Sequence, residues 1–225
     1  MIGLINYLSI ICFCFCIGKD KTQLMKRTLI FLHGLGDSGK SWSDLARSFS
    51  GFKCIFPDAP SIEIYINGNM RMPGWYNLYQ LGPGREDEPG LLKTRQYLQD
   101  LIQKEIDQGV QSKDIFIGGF SQGAVCALLA GLTIPIMLGG IIAFSGYLPI
   151  RDFVAKQQLN PIPVFMGHGK QDPVIPYSFS QLSKQVLEEL KVNLVYKSYN
   201  MEHSACVEEI QDVQNWLSGL EKDEL

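Results

Sequence analysis

Positive charge, cysteine and histidine are all in short supply, and each shortage removes a class of function. The 225 residues carry 20 Lys and Arg against 23 Asp and Glu, a net charge of −3. Nothing in that balance attracts a phosphate backbone, so no nucleic-acid partner is expected. Of six cysteines, Cys12, Cys14 and Cys16 fall in an apolar head. The other three, Cys54, Cys126 and Cys206, are too scattered for a disulfide framework, and no spacing suits zinc. They read as buried thiols, and no metal is expected. There is no repeat or low-complexity tract, and no G-x-x-x-x-G-K-[ST] run to cradle a nucleotide phosphate. What is present, 46% hydrophobic and 19% charged residues, suits one globular domain with a single large core.

The two ends stand apart from this ordinary composition. Residues 1–18 carry no charged side chain, and the apolar stretch 7–17 has the length of a signal-peptide core, with Cys16-Ile17-Gly18 offering small residues for cleavage after Gly18. The stretch is short for a membrane span. It lacks the basic residues that usually precede such a core, and translation from Met25 would give a cytosolic product. At the other end Lys222-Asp223-Glu224-Leu225 reads as a receptor-recognised retrieval signal, which has meaning only in the endoplasmic-reticulum lumen. Together the ends predict a lumenal protein, with the cytoplasm as the alternative. The plain readings are an N-terminal anchor and an acidic helix end.

Between them, residues 19–225 read as one domain. Short β-branched and aromatic runs alternate with stretches of helical period, the pattern of a mostly parallel central sheet with helices on both faces. Strands are predicted at 28–33, 52–56, 114–118, 140–145, 163–167 and 193–198. Leu91, Leu98, Leu101, Ile102 and Ile106 share one helical face, and Val207, Ile210, Val213, Leu217 and Leu220 another, both core. One gap stays unfilled. Residues 57–90 carry five prolines interleaved with apolar and aromatic side chains, and a loop of that length is uncommon unless functional. It either packs back as core or lines a pocket.

The chemistry starts at Gly119-Phe120-Ser121-Gln122-Gly123, which follows a strand and precedes a helical run. A serine on a strained strand-to-helix turn needs tiny residues two before and two after it, and both are Gly. Its hydroxyl needs a base, and the base needs a carboxylate to fix its tautomer. Of three histidines, only His203 follows both Ser121 and a plausible acid, as the nucleophile–acid–base order requires. Asp172 is that acid, because it lies just past a strand's C-terminal end, where open α/β sheets bind ligands. A helix-capping Asp172 and a structural His203 are the plain alternatives. His168 reads as structural, beside the acid loop. An oxyanion needs N–H donors, and the Gln122 amide and the Leu35 amide in the Gly34-Leu35-Gly36 turn are the candidates.

Six separated segments, 31–37, 72–75, 86–88, 118–123, 168–176 and 203–206, resemble in order and spacing the acyl-protein thioesterase and lysophospholipase-like carboxylesterases of the α/β-hydrolase fold. The resemblance spans about residues 28–220. It implies hydrolysis of thioesters on palmitoylated proteins, or of acyl esters and lysolipids, through an acyl-enzyme and without metal or cofactor. It implies that 57–90 forms a flap over an acyl channel with Trp75 near it, and transient contact with a membrane surface. Family members lack a signal sequence and act on cytosolic S-acyl groups, at odds with a lumenal address. Tyr147 stands where the family pattern has Trp. Rival readings are a general carboxylesterase or lysophospholipase of the secretory pathway and an inactive binding scaffold. The scaffold would be marked by loss of a triad member or oxyanion glycine, and none is lost.

Overall fold

The computed structural model describes residues 27–222. Six strands, β1 (Arg27–Leu32), β2 (Phe52–Ile55), β5 (Ile115–Phe120), β6 (Gly140–Phe144), β7 (Val164–Gly169) and β8 (Leu194–Tyr199), form one sheet in the order β2-β1-β5-β6-β7-β8. Every pairing is parallel. All six predicted strands are in this sheet, with ends moved by one or two residues. Parallel strands lie under helices on both faces, so they are nearly continuous apolar runs, which is what made them readable. β6 is buried throughout.

The helices are α1 (Glu88–Asp107), α2 (Gln122–Thr133), α3 (Arg151–Val154), α4 (Tyr177–Glu189) and α5 (Val207–Lys222). One core packs side chains of α1 to α4 against one sheet face, and a second packs α5 and the 3₁₀ stretch Gly39–Ser48 against the other. Each residue of α2 is buried, so this helix is apolar all round instead of striped. In α1 the expected Leu91, Leu98 and Ile102 are buried, with Leu101 and Ile106 partly so. In α5 the expected Val207 is 81% exposed, while Glu209 is buried. Helical side chains lean toward the N-terminus, so the first residue of α5 projects past the helix end. Among the thiols, Cys126 is buried but Cys54 and Cys206 only partly so.

Residues 57–90 are not the structureless loop expected. They hold an antiparallel hairpin, β3 (Ser61–Ile64) and β4 (Met70–Pro73), and an isolated bridge between Leu78 and Glu86. Gly68 and Asn69 turn the hairpin with φ of 65° and 60°, a conformation those two residue types tolerate best.

Strand order reverses between β1 and β5, since the chain runs outward from β1 to β2 and then returns to β5 and onward to β8. Crevices open at such a switch point, beyond the strands' C-terminal ends. The turn after β1 and the turn after β5 meet there.

Candidate active site

Ser121 occupies the turn between β5 and α2 with φ 53° and ψ −117°, a conformation unfavourable for a residue with a side chain. What holds it is close packing. A β-carbon at Gly119 would lie 2.3 Å from the Gly123 carbonyl carbon, and one at Gly123 would lie 2.2 Å from the Leu32 oxygen. The Ser121 amide donates to the Phe144 carbonyl at 2.9 Å, tying the turn to β6. Only glycine on both sides lets helix and strand approach so closely.

Three elements from distant parts of the chain converge on this serine. His203, in the loop between β8 and α5, places Nε2 at 2.9 Å from Ser121 Oγ. Its Nδ1 lies 2.7 Å from Asp172 Oδ2. Asp172 sits in the loop after β7 with a fully buried side chain, and its other oxygen accepts the amides of Val174 at 2.9 Å and Ile175 at 2.8 Å. With Asp172 ionised, His203 carries its proton on Nδ1 and turns the lone pair of Nε2 to the serine. The Phe120 ring packs against the imidazole, centroids 4.7 Å apart.

The turn after β1 flanks Ser121. Gly36 takes φ 76°, and its amide donates to the Pro73 carbonyl at 2.8 Å. Among the described residues neither the Leu35 amide nor the Gln122 amide has an acceptor. Both residues line one small pocket with Ser121, so the arrangement offers two free N–H donors beside the hydroxyl, one of them at a helix N-terminus. His33, at the end of β1, is structural. It donates through Nδ1 to the Gly34 carbonyl at 2.7 Å and accepts the Ala59 amide on Nε2 at 3.0 Å.

The pocket at Ser121 is apolar, about 60 Å³, and walled by Leu78, Leu81, Val125, Tyr147, Val174 and Ile175. Burial pushes the Tyr147 and Tyr76 phenols upward, so both stay protonated. The 57–90 segment thus contributes Leu78 and Leu81, while Trp75 lies elsewhere. Trp75 lines a separate cavity of about 760 Å³ with Asp58, Lys93 and Tyr97. Its hydrogen bonds explain the difference: the indole N–H donates to the His33 carbonyl at 2.8 Å, the backbone N–H to Gln122 Oε1 at 2.8 Å, and the carbonyl accepts from Thr94. Its neighbour Tyr76 faces the pocket in its place.

Two groups were not legible as parts of the site. The Gln122 side chain bridges to the flap through Trp75 and, at 2.8 Å, to the Tyr76 carbonyl. Ser145, with φ 50°, donates to the Ser204 carbonyl at 3.3 Å and so holds the His203 loop to β6. A Ser-Gly pair directly after a buried strand was the available signal for the second.

A model of the phospholipase/carboxylesterase family matches residues 17–220. Among curated proteins, the chain is 40% identical to acyl-protein thioesterase 1 of Neurospora crassa over 209 residues, 85% of either chain. It is 38% identical to acyl-protein thioesterase 1 of Kluyveromyces lactis over 88% of this chain and 94% of that one. Among solved structures, the crystal structure of Arabidopsis thaliana SOBER1 superposes with a TM-score of 0.82 at 26% identity, covering 86% of this chain and 99% of that one.

These relatives overturn the expected lumenal location. Thioesterases of this kind, by the resemblance drawn above, act on cytosolic S-acyl groups, and the match begins inside the segment expected to be cleaved away. The two signals behind the lumenal reading rest on residues 1–18 and on a tail of which residues 223–225, like the head, lie outside the described residues. Lys222, its first residue, ends α5. No helix among the described residues is long and apolar enough to cross a membrane. With the parallel sheet, the strained serine turn and the match along most of its length, the chain belongs to the phospholipase/carboxylesterase family of α/β-hydrolases.

Proposed function

We propose that this chain is a serine-dependent acyl thioesterase that removes palmitoyl and related S-acyl groups from proteins, with Ser121, His203 and Asp172 as its triad. The unbroken hydrogen-bonded line from Ser121 Oγ through His203 to Asp172, ending at an apolar pocket, carries this reading. The thioesterase relatives support the substrate class. Such substrates sit at membrane surfaces, so transient contact with one belongs to the proposal.

In the first half-reaction His203 Nε2 takes the hydroxyl proton as Ser121 Oγ attacks the thioester carbonyl. The carbonyl oxygen becomes an oxyanion, which the Leu35 and Gln122 amides stabilise, while Asp172 stabilises the imidazolium. Collapse breaks the carbon–sulfur bond, and the imidazolium proton goes to the departing thiolate. Water repeats the sequence on the acyl-serine, releasing a fatty acid and restoring the hydroxyl. No step calls on a cofactor.

A second reading, turnover of small acyl esters, is favoured by the pocket itself, since about 60 Å³ admits a short acyl group and not a palmitoyl chain. A long chain has to displace the flap at Leu81, which is 47% exposed. Incubation with a fluorophosphonate probe, with the label located by mass spectrometry, tests the triad, and Ser121→Ala is the control. Label on Ser121, blocked by palmitoyl-thioester, is the expected result. Label blocked only by short esters favours the second reading, and folded protein that takes no label at Ser121 defeats both.

A further inference from the structure

His168 is the one histidine the proposed chemistry leaves unused, and it is fully buried beside the acid. It is the fifth residue of β7, immediately before the loop that carries Asp172. Its Nε2 lies 2.9 Å from the Ile175 carbonyl oxygen and 3.3 Å from Asp172 Oδ2, the same oxygen that faces His203. Its Nδ1 has no partner among the described residues. A ring with two acceptors at one nitrogen and none at the other carries its single proton where the acceptors are, so the network assigns the Nε2–H tautomer. Burial pushes this imidazole down from its ordinary value, which keeps it neutral.

We infer that His168 is a positioning residue for the triad: its Nε2–H, shared between Asp172 Oδ2 and the Ile175 carbonyl, holds the acid in line with His203. The inference rests on the triad reading above. Without His168, Oδ1 would keep its two amide donors, but Oδ2 would keep His203 alone, and the carboxylate could pivot. The charged and titratable groups around the ring are Asp172 itself, His203 from the β8–α5 loop and Tyr177 of α4, whose ring centre is 6.2 Å away. A neutral donor between a carboxylate and a general base suits a site where a second positive charge would oppose formation of the His203 imidazolium.

His168→Leu removes the donor, and His168→Gln returns an N–H close to the Nε2 position. With a short-chain nitrophenyl ester, His168→Leu is expected to lower kcat by about 10²-fold, the scale for misplacing a catalytic group by about an ångström, with KM little changed. A carboxylate with one donor fewer holds the His203 proton more tightly, so the acid limb of the kcat/KM profile moves to higher pH. His168→Gln is expected to recover most of kcat and the original limb. In ¹⁵N-histidine spectra of the unaltered protein, His168 should stay the Nε2–H tautomer from pH 5 to 8, a readout that needs no variant to fold. Overturning results are a His168→Leu enzyme with ordinary kcat and acid limb, a His168→Gln enzyme no better than His168→Leu, or a His168 ring that carries its proton on Nδ1. Fluorophosphonate labelling of the unaltered protein separates the two failures. Labelled Ser121 with any of these results sinks the role of His168 alone, and unlabelled Ser121 sinks the triad beneath it.

Discussion

Two buried carboxyl groups lie on opposite sides of β7, and the chain treats them in opposite ways. Asp172, past the end of the strand, is ringed by donors: two amides on one oxygen, His203 and His168 on the other. Glu209, in the first turn of α5, packs against Gly167 with neither oxygen partnered among the described residues. Burial pushes its pKa up to about 8, with the charge on Asp212 adding to the rise and the Cys206 backbone opposing it. Burial by itself therefore does not set a carboxyl group's state. The donors decide, because a desolvated charge persists only where hydrogen bonds replace the lost water.

The comparison breaks most severely at Asp172. Asp172→Asn keeps the shape but reverses the hydrogen-bonding demand on His203 Nδ1, leaving the wrong tautomer toward Ser121, and kcat should fall by roughly 10⁴-fold with the melting temperature little changed. Steady-state kinetics beside thermal melts of the same preparation check this. A nearly active Asp172→Asn enzyme would return the acid's role to another carboxylate, Asp152 first.

Glu209 sharpens the contrast through pH. Its folded pKa, about 8, is raised above the ordinary 4.5, so the folded state holds a proton that the unfolded chain releases. Stability is therefore fullest below pH 4.5 on this account and drains away as pH rises toward 8, by up to a few kcal/mol for a shift of this size. Glu209→Gln removes that drain. Urea melts at pH 5 and pH 8.5 should show the unaltered protein losing stability across the interval and the variant losing less. Equal losses would mean that Glu209 finds a partner in solution.

The smallest effect concerns the strand between the two carboxyls. A β-carbon at Gly167 would lie 1.9 Å from Glu209 Oε1, so Gly167→Ala forces that side chain aside and should destabilise by about 1–3 kcal/mol. Combining it with Glu209→Ala, which vacates the space, should recover part of the loss. A double variant as unstable as the sum of the two singles would place the strain in the β7 backbone instead.

Much of the site could be read in the chain because its parts obey local rules. Gly119 and Gly123 mark the serine turn, since only hydrogen fits against the Leu32 oxygen and the helix start. The order Ser121, Asp172, His203 follows from where parallel strands end. The hairpin in 57–90 was also within reach, since Ser61-Ile62-Glu63-Ile64 alternates polar and apolar residues and Gly68-Asn69 supplies the turn, but five prolines drew attention to a loop. Val207 and Glu209 were not within reach. Helical period puts Val207 on the core face, and only the end of the helix leaves it exposed.

The sequence by itself determined the parallel sheet, the strained serine and the triad's order, because strand burial, glycine clearance and strand-end loops are set by residues close together in the chain. Only the tertiary structure decided that Trp75 turns from the Ser121 pocket to hold His33 and Gln122, that His168 shares an oxygen with His203, and that Glu209 is protonated without a partner. Each of those depends on which donors and acceptors arrive from remote segments. A side chain's hydrogen bonds and charge state are properties of its surroundings, and periodicity carries no record of them.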